Sequence, residues 1–184
     1  MEKQIVNLSK FNNDWFDAGN KIKRIMWFII NALFFINPLN ASSKLKVFLL
    51  RKFGASIGEG VVFKPKVNIK YPWNLSIGNN CWIGENVWID NLAQVTIKDN
   101  VCISQGAMLL CGNHNYKKTT FDLMIGPITL EDGVWLGAQS LVGPNVICRS
   151  HSVIGVKSVA TKDLDPYSIY RGNPAQKVQE RIIE

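Results

Sequence analysis

Ile77-Gly-Asn-Asn-Cys-Trp-Ile-Gly-Glu-Asn-Val-Trp-Ile89 repeats one pattern every six residues. Three isoleucines stand six residues apart, Gly78 and Gly84 follow the first two, and Asn80 and Asn86 fall three residues after them. Cys81 and Val87, small or β-branched, stand two residues before the next isoleucine. The same beat runs outward in both directions. Anchors precede it at Ile57, Phe63 and Ile69 and follow it at Val95; the frame then shifts by two and resumes at Ile97, Ile103 and Leu109. After a gap it returns at Leu130, Leu136, Val142, Cys148, Ile154 and Ala160.

Each regularity has a physical cause. Alternate residues of a strand point to one face, so an anchor and the residue two before it both point inward. A large anchor beside a small partner fills a narrow interior without overpacking. Gly and Asn tolerate the positive φ that a sharp corner demands. A six-residue beat drifts around a helix of 3.6 residues per turn, so amphipathic helices do not generate it. Hairpin sandwiches alternate without fixed Gly and Asn offsets. A hexad repeat is instead the mark of a β-helix, whose units bury their apolar sides by stacking on one another.

The 184 residues suit one domain with an appendage, and 47% hydrophobic with 19% charged residues is ordinary for a globular chain. The net charge of +7 is uneven. Residues 1–53 carry nine Lys/Arg against three acids, while residues 54–184 carry twelve against eleven. That distribution argues against a nucleic-acid groove along the protein. Cys81, Cys102, Cys111 and Cys148 form no Cys-x-x-Cys pair, and the two histidines lack zinc-ligand spacing, so no metal is expected. Buried free thiols in a reducing cytoplasm are the expectation.

In the basic extension, Ile25 to Ile36 is an apolar run of twelve broken only by Asn31, too short to span a bilayer. Asp14 and Asp17 ahead of it speak against a cleaved secretory signal. A helix over 20–36 and a second from Ser42 to Phe53, separated at Asn37-Pro38, are expected. Two readings stay open: helices packed on the main domain or a neighbouring subunit, or a peripheral membrane contact through residues 20–53, with basic side chains at the headgroups.

Between Leu109 and Leu130 the beat is lost, so residues 110–129 are expected to leave the core as an external loop, where functional groups commonly sit. His114 lies in it. A histidine near neutrality suits the base that takes a hydroxyl proton during acyl transfer. His151 falls on a repeat corner and reads as structural. Asp90 and Asn91, after Ile89, are placed to orient an acceptor hydroxyl or the imidazole, and both are also ordinary turn residues. Tyr116 is placed to stack on a sugar ring. No phosphate-binding Gly-x-x-x-x-Gly-Lys-Ser/Thr loop or dinucleotide fingerprint occurs, which removes support for nucleotide hydrolysis and hydride transfer.

Residues 77–89 and 134–146, with the Gly-Asn-His of 112–114, resemble the hexapeptide-repeat acyltransferases, in particular the sugar O-acetyltransferases of the maltose, galactoside and exopolysaccharide type. The resemblance covers roughly residues 50–184. It implies an all-β, left-handed parallel β-helix over 54–174, an N-terminal helical extension over 1–53 and a short C-terminal helix over 175–184. It also implies a homotrimer, acetyl-CoA as co-substrate and His114 as general base, with Asn113 or a loop N–H for the oxyanion. By the same resemblance Ala138, Val156 and Thr161 hold the pantetheine arm; Trp135 reads equally as a wall of that cleft and as a packing residue. Lys157, Lys162, Lys177 and Arg181 are the cations available for the phosphates. Gln179 stands where relatives often carry a basic residue, which puts the choice of cation in doubt. The implied acceptor is a saccharide or polysaccharide precursor, lipid-linked at the inner membrane face as one form of it. N-acetylation of an amino-sugar nucleotide is the alternative. A zinc carbonic-anhydrase-like enzyme lacks its third histidine, and a non-catalytic solenoid leaves the His114 loop unexplained.

Overall fold

The computed structural model describes residues 3–184; residues 1 and 2 of the expected extension lie outside the described residues. Short parallel strands stack into a β-helix of triangular section. One face holds Ser56–Ile57, Leu75–Ile77, Val95–Ile97, Ile128–Leu130 and Ile147–Cys148. The second holds Val62–Phe63, Trp82–Ile83, Cys102–Ile103, Trp135–Leu136, Val153–Ile154 and Ser168–Gly172. The third holds Asn68–Ile69, Trp88–Asp90, Met108–Leu110, Leu141–Val142 and Val159–Ala160. Every anchor of the repeat is buried in the central core. The four cysteines are free thiols, three buried and Cys102 half-buried; burial pushes the Cys111 thiol up to about 11.

The corner residues divide into two kinds, and this refines the sequence reading. Asn80, Asn86, Asn100, Gly106, Gly133 and Asn145 have positive φ, as the repeat predicts. The glycines one residue after an anchor serve differently. A Cβ on Gly137 would lie 2.7 Å from the Ile154 carbonyl oxygen and 2.8 Å from the Val156 nitrogen. At Gly58, Gly84 and Gly137 the next turn's backbone passes too close for a side chain, while at Gly143 and Gly155 it stands back to 3.3 Å.

The frame shift also has a structural cause. Ile57 pairs with Ile77 and Ile77 with Ile97, twenty residues per turn, whereas Leu130 pairs with Cys148, eighteen, or three hexads. The two extra residues of each early turn fall at the corner between the third and first faces, after Ile69 and after Ile89. The long excursion after Leu109 leaves from that same corner.

Two helices close the open end of the first turn. Helix α1, Lys21–Ile30, is capped by the Asn20 side chain and continues as a wider π-helical segment, Asn31–Ile36. Helix α2, Ser43–Lys52, is capped by Ser42. Their side chains meet backbone groups that an edge strand leaves unpaired. On the first face Arg51 donates to the Ile57 carbonyl; on the second, Ser43 bonds both backbone groups of Phe63, and Lys46 donates to Lys64 O at 2.8 Å. On the third, the Trp27 indole donates to Ile69 O at 2.8 Å and Asn31 accepts from Ile69 N.

The C-terminal helix expected over 175–184 is absent. Ala175–Glu180 is a strand, antiparallel to Ser168–Gly172 on the second face. The free edge of that last turn offers a row of unpaired backbone groups, and pairing with it overrides a weak local preference for helix.

Candidate active site

Gly112–His114 runs antiparallel to Leu123–Ile125, with His114 opposite Leu123, so the excursion is a hairpin projecting from the corner. At its tip Phe121 has φ +51°, which an L-residue with a bulky side chain rarely adopts. That conformation aims the Phe121 carbonyl at His114 Nδ1, 2.9 Å away, and its ring stacks on the imidazole at 4.4 Å and 7°. Phe11 closes the other side at 5.7 Å. A carbonyl only accepts, so Nδ1 carries the hydrogen, which leaves Nε2 as the ring's proton-accepting nitrogen.

His114 lines a cleft of about 850 Å³ together with Asn113, Asp90, Lys70, Tyr71 and Arg24. Its floor is the stacked corner, the residues just after Ile69, Ile89 and Leu109. Its other wall is the N-terminal segment, through Phe11, Asn13, Asp14 and Phe16, pinned to the hairpin where Asn7 N–H donates to Thr119 O at 2.8 Å. Sequence reasoning missed these wall residues. The segment carries no period and no motif, and only tertiary contact brings it here.

The expected site residues separate in space. Asn113 lines the cleft; its Oδ1 accepts the His114 N–H at 2.7 Å, so its side-chain NH₂ points to no protein partner among the described residues. Asp90 also lines the cleft, its carboxylate largely buried, with Lys70 Nζ 2.9 Å from Oδ1 as an ion pair without hydrogen-bond alignment. Asn91 does not reach acceptor space. It is 0% exposed; Oδ1 accepts from Tyr71 N–H at 2.9 Å, and Nδ2 donates to the carbonyls of Tyr71 and Asn74. Its amide is consumed in tying one turn to the next. Tyr116 is 73% exposed and stands outside the cleft lining. Arg24 brings a guanidinium whose buried Nε meets no acceptor among the described residues.

A second cleft of about 590 Å³ lies over the second face and its following corner, on the last turns. Trp135, Val156, Lys157, Arg171 and Arg181 line it, with the bare backbone of Gly137 and Gly155. Trp135 donates its indole N–H to Ser104 Oγ at 3.0 Å; Arg181 is held by the carbonyls of Gly133 and His151 at 2.9 and 3.1 Å. Arg171 is not among the expected cations: it lies in the Ser168–Gly172 strand, and the antiparallel pairing of that strand with Ala175–Glu180, the stretch expected as a helix, is not visible in the sequence. Ala138, Thr161, Lys162 and Lys177 lie outside the lining. Lys177 pairs with Glu180 at 2.7 Å, a hydrogen bond that raises its pKa. His151, at φ +59°, packs its ring where a side chain on Gly133 would stand and tilts against Tyr167 at 4.7 Å, a corner role. Among the described residues no group of three or more His, Cys, Asp or Glu is arranged to hold a metal.

No protein-family model matches the chain. It is 35% identical over 167 residues to a protein of Escherichia coli (strain K12) named as a colanic acid biosynthesis acetyltransferase, WcaF, covering 91% of this chain and 92% of that protein. It is 32% identical over 135 residues to the galactoside O-acetyltransferase of the same organism, covering 72% and 66%. A solved galactoside acetyltransferase in complex with coenzyme A superposes with a TM-score of 0.78 at 27% identity, over 91% of this chain and 84% of that one. A hexapeptide-repeat acetyltransferase of Vibrio cholerae complexed with acetyl-CoA shares the fold, with a TM-score of 0.81 at 21% identity and 96% of both chains covered. Hexad repeat, parallel β-helix and near full-length similarity agree, and the chain belongs to the hexapeptide-repeat acetyltransferases.

Proposed function

We propose that this acetyltransferase moves an acetyl group from acetyl-CoA to a sugar hydroxyl, with His114 as general base. The observation that carries the reading is the held imidazole: Nδ1–H is committed to Phe121 O, while Nε2 has no hydrogen-bond partner among the described residues and borders a polar cleft. In the reaction Nε2 takes the hydroxyl proton as that oxygen attacks the thioester carbonyl. The carbonyl becomes an oxyanion, which the Asn113 side-chain N–H is placed to meet. Collapse breaks the carbon–sulfur bond, and the thiolate leaves with the proton from the imidazolium. Asp90, Asp14 and Asn13 offer polar partners for sugar hydroxyls in the same cleft.

The second cleft suits the donor. Bare backbone at Gly137 and Gly155 admits an amide-bearing arm, and Lys157, Arg171 and Arg181 offer cations for phosphates. It lies on a different corner of the triangle from His114, so the two halves of the chemistry meet only if a neighbouring copy supplies one of them. The outward residues support such an assembly. Those of the first face are Ser56, Ser76, Thr96 and Thr129, ending at Ile147, a mostly hydroxyl surface. The second face shows Val62, Trp82, Cys102, Trp135 and Ile169, with Trp82 62% exposed, and the third shows Asn68, Trp88, Met108, Leu141 and Val159, apolar after its first residue. Two apolar faces and one polar face fit a closed head-to-tail ring, the homotrimer.

Calorimetry with acetyl-CoA, free CoA and ATP tests the donor. Saturable binding of both CoA species and not ATP is expected. A panel of matched hydroxyl and amino sugars then tests the acceptor; turnover confined to amino sugars overturns O-acetylation. Absence of CoA binding by a folded sample overturns the reading as a whole.

A further inference from the structure

Helix α1 with its π-helical continuation, residues 21–36, is apolar on two sides. One side meets the β-helix: Trp27, Asn31 and Phe35 are buried there, with Ile30 and Phe34 packed beside them. The other side meets nothing among the described residues. Ile22 is 69% exposed, and Met26, Ile29, Leu33 and Ile36 continue the stripe at three- and four-residue intervals, all exposed. Phe28, 73% exposed, stands beside it, and Leu39 extends the apolar surface past the helix. A helix that is hydrophobic all round needs a cover on both sides, and a contiguous exposed apolar patch marks an interaction surface.

Charge tells what the cover is. From residue 18 to residue 58 the chain holds seven Lys/Arg and no Asp or Glu. Lys46 is buried, Arg51 pairs with Glu59, and Lys23 lies over Trp73 at 4.8 Å. Lys21, Arg24 and Lys44 have no acidic partner among the described residues. An apolar stripe in a basic, acid-free segment is complementary to an anionic bilayer surface: side chains enter the headgroup boundary while lysine and arginine meet phosphates. No helix among the described residues is long and apolar enough to cross a membrane, and sixteen residues at about 1.5 Å each reach only about 24 Å, so the helix lies in the plane of the surface.

We infer that the exposed stripe of residues 22–36 docks this protein on an anionic lipid surface. This docking stands independently of the chemistry at His114, and it bears on it. Ile25 and Phe28 line an apolar cleft of about 550 Å³ beside α1, and Arg24, Lys70 and Tyr71 line both that cleft and the one that holds His114. A docked protein therefore presents the His114 cleft next to the bilayer surface, within reach of acceptors held there.

The test is co-sedimentation of the full chain with phosphatidylcholine vesicles, with and without phosphatidylglycerol, alongside sedimentation equilibrium and acetyl-CoA calorimetry. The wild-type protein pellets with the anionic vesicles, releases in high salt and stays in solution with the neutral ones. Ile29→Glu with Leu33→Glu changes two exposed side chains and lowers vesicle binding roughly tenfold or more, with the oligomer, the melting temperature and CoA binding retained. Lys21→Glu with Lys44→Glu weakens binding to anionic vesicles alone. Wild-type protein that ignores anionic vesicles overturns the inference, as does a Glu pair that binds them undiminished. Dissociation of the oligomer by the Glu pair also overturns it, because the stripe then belongs to contacts between copies. Failure of CoA binding in the wild type strikes at the acetyl-transfer reading and leaves the docking result standing.

Discussion

Replacing His114 with Ala separates what the histidine does for the fold from what it does for the reaction. For the fold it supplies one hydrogen bond to Phe121 O and one ring stack on an external hairpin. Those contribute about 0.5–1.5 kcal/mol each. Together that is about 1–3 kcal/mol, and at roughly 2–4 °C per kcal/mol for a chain of this length the melting temperature falls by about 2–12 °C, leaving a folded protein at 25 °C. For the reaction, a positioned general base contributes about 10²–10⁴-fold, or about 3–5 kcal/mol at the transition state. The expected result is therefore a kcat at least about a hundredfold lower at 25 °C, with the same circular dichroism spectrum and unchanged acetyl-CoA affinity. Continuous detection of the released CoA thiol measures the first, and calorimetry the last. A variant that retains kcat within tenfold of wild type, while folded, refutes the assignment of Nε2 as the base. A parallel loss of CoA binding places His114 among the groups that hold the donor brought by a neighbouring copy, and the fall in kcat then no longer isolates a base.

Asn91→Ala orphans Tyr71 N–H and the carbonyls of Tyr71 and Asn74; at about 1–3 kcal/mol per buried group, and with water reaching part of the corner, the loss is about 3 kcal/mol. Calorimetric melting then falls roughly 6–12 °C, and a fall under 2 °C contradicts the tie between turns. Gly137→Ala sets a Cβ against the backbone of Ile154 and Val156, costing about 1–3 kcal/mol and moving a wall of the second cleft. Both the melting temperature and CoA affinity fall, and an unchanged pair of values rules out the close stacking. Burial lowers the Lys46 pKa below 10.5, so the unfolded chain holds that proton more tightly. Its burden on stability is present below the folded pKa and is relieved as pH rises from there through 10.5. The melting temperature of Lys46→Met relative to wild type accordingly falls as pH is raised toward 10.5, and a pH-independent difference contradicts a buried charged amine.

The β-helix was legible because its cause is local and repeated. Every hexad must put one large and one small residue inward and turn a corner with Asn or Gly, so the period appears in the chain itself. His114 was legible for a related reason: an interruption of a strict beat can only be an excursion, and the excursion holds one of two histidines. The ends of the α1 and α2 helices were marked by Asn20, Pro38 and Ser42, whose capping and breaking effects act within a few residues.

Where the outcome depends on what a segment meets, the sequence was silent or misleading. Ala175–Glu180 pairs as a strand because the last turn offers an open edge, a fact written in residues 168–172 and in no property of 175–180 itself. Asp90 and Asn91 are chemically alike and adjacent, yet alternation sends one into the cleft and the other into the stack between turns. Phe11 and Asp14 became cleft residues by folding over the hairpin, and Arg171 became a cleft cation through the terminal hairpin. The repeat and its corners are written in the chain itself, since short-range sterics and burial select them turn by turn, and the break in the beat marks the loop that holds His114. The tertiary structure alone decided which polar groups share a cleft, because that depends on contacts between residues remote in the chain, to which no local pattern is tied.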